Sequence, residues 1–340
     1  MKFKHCSGYD MFHLVRQIAA TFLLGVLVLF LQTGCKRNPE EPFVEDDTLQ
    51  PLYFDHPAWH PAGEWIAAEH GDSVDSDHDG KLDAYFGGIW LVNAQTGKTQ
   101  PLLRGFTLPA WSPDGKKLAL VRQAQIYTID VVNLEPARVD NTSLRQLTFA
   151  GGNFFPAWSP DGQWIVYDSN AESPNGVYFI WKIQANGLQK TRIAYEPTIG
   201  EIRMPHWSPD GNKIVHIRYL VGVFSSEVFA MDTSGTNPTR LTFNNSTDYT
   251  PRYSPDGTKL AFYSQPRVGP PAIWLMPSDG SSTSKVSLDF AGNFDWSPDG
   301  QCIAFILWDF LQAVPGNGQI WLINEDGTGL RQLTHFERRR

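Results

Sequence analysis

Residues 109–115 read Pro-Ala-Trp-Ser-Pro-Asp-Gly, and this stretch decides the fold because the chain repeats it. Four further copies keep Ser-Pro-Asp-Gly behind an aromatic residue, and a degenerate first copy reads Pro-Ala-Trp-His-Pro-Ala-Gly. The aromatic anchors of the six copies are Trp59, Trp111, Trp158, Trp207, Tyr253 and Trp296. They stand 52, 47, 49, 46 and 43 residues apart. A period of this size is typical of repeat architectures such as solenoids and propellers.

Each copy has the chemistry of a hairpin turn. Proline presets the first corner of a type I turn, Asp suits the second, and Gly takes the left-handed position that closes the turn. The Ser before Pro can bond the turn backbone. Five identical Ser and Asp pairs could suggest catalysis, but a turn needs these residue types at this spacing without any catalytic role. We therefore predict that they are turn residues.

Three apolar segments follow each anchor in the same order. In the second copy they are residues 118–121, residues 126–129 and the dipeptide Leu147-Thr148, which is the clearest form of a fourth strand. A four-stranded sheet repeated at this period is the signature of a propeller blade. The sequence thus predicts an all-β chain, with a single six-bladed β-propeller of four-stranded antiparallel blades over residues 49–340. Residues 49–54 also resemble a fourth strand, so either terminus could close the ring.

Composition agrees with an all-β globular chain and excludes several other classes. Aromatic residues make up 13% of the 340 residues, and the 12 tryptophans offer a large core. The chain has no glycine triplet repeat, no sustained heptad and only one apolar run, which excludes collagen, coiled coils and multi-span membrane proteins. Its net charge of −8 argues against nucleic acid as a partner, because a phosphate backbone requires a basic face.

The first 34 residues have the order of an export signal. Basic residues precede an uncharged, mostly apolar run at 18–31, which is too short for a transmembrane helix. Gly34 and Cys35 then resemble the cleavage site of a bacterial lipoprotein, although Gln32 stands where that family prefers Leu. The resemblance implies that 1–34 are a signal peptide, that Cys35 carries a lipid, and that 35–48 form a flexible tether. We expect a membrane-anchored lipoprotein of the bacterial cell envelope, facing the periplasm or the exterior.

The repeat Pro-x-Trp-Ser-Pro-Asp-Gly, followed by Ile-Ala-Phe, Ile-Trp-x-Met and Leu-Thr, resembles the TolB-like β-propeller family over residues 50–336. The family includes the periplasmic component of the Tol-Pal envelope system, which has an α/β domain before its propeller. Here only the predicted tether at 35–48 precedes the first repeat. We therefore expect an exported lipoprotein that resembles this family but lacks that domain. The resemblance also implies a non-catalytic scaffold that binds protein, peptide or glycan partners. Calcium is the one cofactor that we predict, on the separate grounds given below.

Two classes of enzyme carry a similar repeat and are the alternatives to a binding scaffold. Prolyl-oligopeptidase-type peptidases require a Gly-x-Ser-x-Gly elbow, which this sequence lacks. Lyases of the oligogalacturonate type hold a metal with histidines in the propeller channel. His56, His60 and His206 precede or follow anchors, so a metal-dependent lyase is the alternative function if these rings point into one cavity.

Loops alternate between the two faces of a propeller. The Ser-Pro-Asp-Gly turns and the turns after the third strands share one face, which we name the turn face and predict to be uniform. The variable face carries the links from second to third strands and from blade to blade. Recognition usually lies on variable loops, and several of these carry aromatic residues outside the repeat pattern. We predict a binding face that includes Tyr219, Phe224, Trp308 and Phe310.

An acidic segment in the first copy has calcium-ligand spacing. Its candidate ligands are Asp75, Asp77, Asp79, Lys81 through its backbone carbonyl, and Asp83. They occupy positions 1, 3, 5, 7 and 9 of a calcium loop, with Gly80 at position 6. Position 12 is Phe86, where an EF-hand has a bidentate glutamate. We therefore predict an EF-hand-like loop between two strands that binds structural calcium.

Overall fold

A computed structural model describes residues 53–74, 84–194, 200–220, 225–308 and 318–335. These residues form strands and turns, with no helix among them. Accordingly, the described part of the chain contains no helix long and apolar enough to cross a membrane. Cys35, Phe224, Phe310 and the predicted calcium ligands at 75–83 lie outside the described residues.

The strands form six sheets of four strands, and each sheet is built from four consecutive strands in antiparallel order. Blades one to three consist of β1 (Tyr53–Trp59), β2 (Trp65–Val74), β3 (Ala84–Asn93), β4 (Thr99–Arg104), β5 (Thr107–Trp111), β6 (Lys117–Arg122), β7 (Gln125–Leu134), β8 (Ala137–Gln146), β9 (Asn153–Trp158), β10 (Trp164–Ser169), β11 (Phe179–Gln184) and β12 (Thr191–Ala194).

Blades four to six repeat the same plan with shorter fourth strands. They consist of β13 (Ile202–Trp207), β14 (Lys213–Tyr219), β15 (Ser226–Asp232), β16 (Thr239–Arg240), β17 (Thr247–Tyr253), β18 (Lys259–Gln265), β19 (Ala272–Pro277), β20 (Ser284–Lys285), β21 (Ala291–Trp296), β22 (Cys302–Trp308), β23 (Gly318–Asn324) and β24 (Arg331–Gln332). The predicted six-bladed β-propeller is confirmed.

The ring closes through contacts between blades one and six. Among the described residues no strand is shared between the two blades, because Tyr53 and Phe54 belong to β1 and each sheet is complete in chain order. The Trp59 amide donates to Asp295 Oδ2 at 2.7 Å, and Arg331 Nη2 donates to the carbonyl of Ala94 at 2.6 Å. Closure therefore depends on side chains at the seam.

The hydrophobic core is divided into six clusters, each between two neighbouring blades. The anchor of each blade packs towards the preceding blade: Trp111 joins the cluster of blade one, and Trp59 joins that of blade six. Large flat rings at a fixed position of each first strand fill the space between twisted sheets. The tryptophan repeat is thus explained by packing between blades.

The Ser-Pro-Asp-Gly segments form the predicted turns. In the second blade the Gly115 amide donates to the carbonyl of Ser112 at 2.9 Å, and the Ser112 hydroxyl donates to Asp114 Oδ1 at 2.6 Å. The same hydroxyl accepts the Lys117 amide at 2.9 Å. The Ser112 hydroxyl and the Lys116 amide lower the pKa of Asp114. Ser and Asp are fully engaged within the turn, as a structural role requires.

The fourth-strand assignment of the Leu-Thr dipeptides was wrong by a few residues. β8 ends at Gln146 and β16 at Arg240, so each dipeptide follows its strand. The threonine hydroxyl instead accepts an amide near the start of the third strand, as Thr148 does from Ile126 at 2.9 Å. Thr242 and Thr334 do the same in blades four and six. The dipeptide recurs because its hydroxyl satisfies a buried strand amide.

Two blades differ from the predicted loop pattern. In blade one, pairing continues from β2 to β3 as far as Val74 and Ala84, so both ends of the link between the second and third strands are themselves strand. In blade two, β7 and β8 continue as a long hairpin to Leu134 and Ala137. We name residues 131–140 the arm. It extends the turn face, which we had predicted to be uniform.

Candidate functional site

The first strands of all six blades contact one another in a ring and line one central cavity. The residue three positions before each anchor lines this cavity in every blade. These six channel residues are His56, Leu108, Phe155, Met204, Thr250 and Asn293. The repeat therefore presents one side chain per blade to the channel.

The channel residues have an unusual backbone. Five of the six have a positive φ, between 45° and 54°, and each of these five precedes a proline. The pairing of first and second strands shifts register at this point, for example between Asp55 and Ala58. A bulge redirects a side chain, and a non-glycine residue with positive φ is held at a cost of about 1–3 kcal/mol. All six blades share the bulge.

The channel residues divide the cavity into two halves. Blades two to four contribute Leu108, Phe155 and Met204, and blades five, six and one contribute Thr250, Asn293 and His56. The rings of His56 and Phe155 approach to 6.2 Å between centroids, although they belong to blades one and three. The channel is therefore narrow at this level, with one apolar side and one polar side.

His56 lies between two carboxylates on the polar side. Its Nδ1 is 3.3 Å from Glu69 Oε2 and 3.5 Å from Asp55 Oδ2. Asn293 Nδ2 donates to Asp55 Oδ1 at 2.8 Å, which joins blades six and one. Burial lowers the pKa of His56, but Asp55 and Glu69 outweigh it, so the pKa is raised.

One residue before each anchor, the two halves of the ring differ again. Blades one to three have Ala58, Ala110 and Ala157, whereas blades four to six have His206, Arg252 and Asp295.

These three polar residues reach from blade to blade. Arg252 Nε lies 3.8 Å from Asp295 Oδ1, and Asp295 Oδ2 accepts the amide of Trp59 in blade one. Burial and the nearby Arg252 cation lower the pKa of His206 to about 3, so its ring is neutral at pH 7.

Arg203, at the variable-face end of the channel, has an aromatic and acidic environment. Its guanidinium carbon lies 4.1 Å from the ring centre of Tyr178 and 5.9 Å from that of Phe155. Nε donates to Asp168 Oδ2 at 3.1 Å, and Glu201 is 3.8 Å from Nη1. Burial raises the pKa of Asp168, and Arg203 offsets part of this effect.

Three more tyrosines continue from this point into blade five. The Tyr219 and Tyr249 hydroxyls interact electrostatically, and the rings of Tyr249 and Tyr263 lie 5.8 Å apart. All three are half-buried, as is Tyr178. Burial raises the pKa of each hydroxyl, which therefore remains protonated at neutral pH. We name Tyr178, Arg203, Tyr219, Tyr249 and Tyr263 the tyrosine rim.

The structure separates the two described members of the predicted binding face. Tyr219 belongs to the tyrosine rim. Trp308 packs against Tyr53 of blade one, with ring centroids 6.0 Å apart, and is partly buried in the cluster between blades six and one. Trp308 is therefore a seam residue, and the structure does not bring it together with the rim.

The three candidate histidines do not share one cavity. His56 and His206 line the channel. His60 lies at the turn face, where its Nε2 is 3.2 Å from the carbonyl of Gly115 and its ring packs edge-on against Trp111. Among the described residues no group of three His, Cys, Asp or Glu side chains has a metal-binding arrangement.

Arg203, Arg252, Thr250 and most of the tyrosine rim were not among the site residues predicted from the sequence. A signal existed, because aligning the six copies on their anchors shows the change from alanine to His206, Arg252 and Asp295. The tyrosines had no such signal, since they stand at different places in their blades: Tyr178 precedes β11, whereas Tyr263 lies inside β18.

Comparison with known proteins agrees with this architecture. Residues 87–225 and 198–337 both match the TolB beta propeller domain family. An uncharacterised protein of Agrobacterium fabrum is 28% identical over 239 residues, which cover 65% of this chain and 73% of that protein. The Tol-Pal system protein TolB of Desulfosudis oleivorans is 32% identical over 112 residues, covering 32% of this chain and 24% of that protein.

A solved structure shows the same fold. The crystal structure of TolB from Acinetobacter baumannii aligns with a TM-score of 0.59 at 20% identity, covering 81% of this chain and 61% of that one. At this identity the likeness concerns the fold alone. The family match covers more than half of the sequence, including five of the six anchors. The chain belongs to the TolB beta propeller domain family.

Proposed function

We propose that this propeller is a non-catalytic binding scaffold whose tyrosine rim binds a partner on the variable face. The observation that carries the proposal is the set of four half-buried tyrosines, one of which packs on Arg203 at 4.1 Å. Tyr and Arg are enriched among the residues that dominate binding energy, because they combine a large contact area with directed hydrogen bonds. A protein or peptide partner fits this composition best, and a glycan is the other class expected from the sequence.

Site-specific photo-crosslinking tests the rim in living cells. A photoreactive phenylalanine analogue at Tyr219 is compared with the same group at Lys116, which is exposed on the turn face. We expect a discrete adduct from position 219 alone, and its loss when Tyr249 is replaced by Ala. Equal labelling at both positions would contradict binding at the rim.

The proposal that the scaffold is not an enzyme has its own test. Its support is that the repeated Ser and Asp side chains are engaged in turns, while only two of the three candidate histidines line the channel. Purified protein incubated with oligogalacturonate and divalent metals should form no unsaturated product. Turnover that depends on His56 and His206 would favour the lyase alternative.

We further propose that the protein is a lipoprotein of the bacterial envelope, anchored through Cys35. Support comes from the signal-like order of the first 34 residues and from relatives that carry the TolB name. The Cys35→Ala variant should leave the membrane fraction or keep its unprocessed mass. Unchanged fractionation together with unchanged mass would contradict a lipid anchor.

Structural calcium in the first blade also stays a proposal. Residues 75–83 connect β2 to β3, and their alternating acids have the ligand order of a calcium loop. Calorimetric titration with calcium should show heat for the wild type and less for Asp77→Ala. The wild type should also melt at a higher temperature in millimolar calcium, and the absence of both effects would remove the site.

A further inference from the structure

Arg252 is a guanidinium in the channel that no described residue engages in a hydrogen bond. Its Nε is buried and lacks a hydrogen-bond partner. The nearest carboxylate oxygen, Asp295 Oδ1, is 3.8 Å away, which is an ion-pair distance but too long for a hydrogen bond. Guanidinium groups have five donors in a rigid fork. A buried donor left unsatisfied is destabilising, so an acceptor from outside the chain would stabilise this arrangement.

Thr250 gives a second, independent observation. Its side chain is 8% exposed, and Oγ1 is buried without a partner in the described structure. Thr250 lies two residues before Arg252 on β17, and both side chains line the same cavity. Two unsatisfied polar groups from one strand therefore face one small space.

Apolar side chains from blades three and four line the same cavity. Where blades four and five carry His206 and Arg252, blade three has only Ala157, which lines the same cavity. The neighbouring apolar channel residues Phe155 and Met204 complete that side. The space thus has a hydrogen-bonding wall and an apolar wall, which suits a ligand with a polar head and a short apolar body.

The carboxylates near Arg252 already have partners. Glu69 is 3.3 Å from His56, and Asp55 accepts a hydrogen bond from Asn293. Asp295 accepts the amide of Trp59, and burial raises its pKa, which Arg252 partly offsets.

His206 is neutral, since its pKa is about 3, and its Nδ1 lies 3.0 Å from the carbonyl of Trp207. Arg252 is thus the cation in this part of the channel whose hydrogen-bonding capacity is unused.

We propose that the channel binds a carboxylate group, which accepts hydrogen bonds from Arg252 and Thr250 while its apolar body lies towards Phe155 and Met204. A carboxylate matches the planar fork of arginine, and charge-assisted bonds of this kind are about twice as strong as neutral ones. The group could belong to a small organic acid, to an acidic side chain or to the end of a peptide. This site is distinct from the tyrosine rim, so either site can fail without the other.

Matched small ligands test the site directly. The thermal unfolding midpoint of the whole protein is measured with sodium butyrate, with sodium chloride at equal ionic strength, and with the neutral isostere butyramide. A ligand that binds only the folded state raises the midpoint, and the rise grows with the logarithm of ligand concentration above Kd. We expect butyrate to raise it, and butyramide and chloride to leave it unchanged.

Variants assign the effect to residues. Arg252→Gln should weaken butyrate binding at least tenfold, and Arg252→Lys should weaken it less because the charge remains but the fork is lost. Thr250→Val, which is isosteric, should weaken it about two- to tenfold. Arg138→Gln, on the exposed arm, should bind like the wild type.

Two results would overturn the site. One is equal stabilisation by butyramide, which would mean that the carboxylate charge is not recognised. The other is wild-type affinity in both Thr250→Val and Arg252→Lys, two variants that change little volume. Peptides that differ only in a free or amidated C-terminus then distinguish a chain end from an acidic side chain as the source of the carboxylate.

Discussion

At the scale of single residues, the degenerate first turn shows how one substitution is accommodated. His60 stands where the other copies have serine. Its Nδ1 accepts the amide of Ala62 at 3.1 Å, so its proton is on Nε2, which donates to the carbonyl of Gly115. The serine at this place accepts the amide five residues on, whereas the histidine accepts the amide two residues on and adds a bond to the next blade.

This contact makes Gly115 a more sensitive position than its equivalent in the next blade. Gly115 and Gly162 share one place in the turn, with φ of +69° and +68°. A Cβ at Gly115 would lie 2.4 Å from His60 Nε2, whereas at Gly162 the nearest atom is Pro113 Cδ at 3.7 Å. Gly162→Ala should therefore cost about 1–2 kcal/mol for the left-handed backbone. Gly115→Ala should cost about 1–3 kcal/mol more because of the overlap.

Denaturant unfolding of the two variants measures this difference. The double variant His60→Ser, Gly115→Ala removes the overlapping ring and should narrow the gap to Gly162→Ala. Equal losses in the two single variants would mean that the buried His60 ring moves without cost.

The turn motif could be predicted from the sequence because its chemistry is local. Ser112, Asp114 and Gly115 bond to one another within six residues. The contact of His60 with Gly115 spans 55 residues. Five channel residues have a positive φ immediately before a proline, and no turn rule predicts that conformation there. Both depend on neighbours that the repeat alone does not specify.

At the scale of secondary-structure elements, the arm is the main departure from the repeat. The side chain of Gln100 in blade one makes two hydrogen bonds to the backbone of the arm's turn. Gln100 Nε2 donates to the carbonyl of Leu134 at 2.6 Å, and Gln100 Oε1 accepts the amide of Ala137 at 2.8 Å. Lys98 also pairs with Glu135. The arm therefore joins blades one and two on the turn face.

Gln100→Glu should release the arm while leaving the propeller folded. The substitution keeps an acceptor for Ala137 but places a carboxylate oxygen against the carbonyl of Leu134. The loss of one hydrogen bond and the new repulsion should cost about 1–3 kcal/mol locally. Hydrogen exchange of residues 131–140 should accelerate, and the exposed Gln301→Glu control should leave it unchanged. Protection equal to the wild type would show that Val131 and Val139, which pack on the core, suffice to hold the arm.

Element boundaries were predictable where the pattern repeats and not where it is interrupted. In five blades a glycine marks the turn after the third strand, so the end of that strand can be predicted from the sequence. Blade two lacks that glycine, and its residues 131–140 gave no repeat signal. The two-point contact from Gln100 that orders them comes from another blade, so it could not be seen locally.

At the scale of the whole molecule, three buried histidines in blades one and four make the folded state sensitive to acid. Burial lowers the pKa of His70, His206 and His216 to about 3, with nearby Arg104, Arg252 and Arg218 acting in the same direction. The unfolded chain binds protons on these groups below about pH 6.5. Stability should therefore fall as the pH decreases from 6.5 towards 3. His56 and the buried Asp168, whose pKa values are raised, act in the opposite sense.

A single-histidine variant isolates one of these contributions. His216 is fully buried, stacks 6.0 Å from the Phe229 ring, and accepts a hydrogen bond from Arg218 Nε at 3.3 Å. A neutral ring is required there, because protonation would remove the acceptor and place two cations together. His216→Gln should reduce the dependence of unfolding free energy on pH by about 1.4 kcal/mol per pH unit between pH 6 and 4. The measurement is denaturant unfolding at a series of pH values, with the exposed His335→Gln expected to keep the wild-type slope. If His216→Gln keeps it as well, the buried ring titrates alike in the folded and unfolded chains, and acid sensitivity must come from other groups.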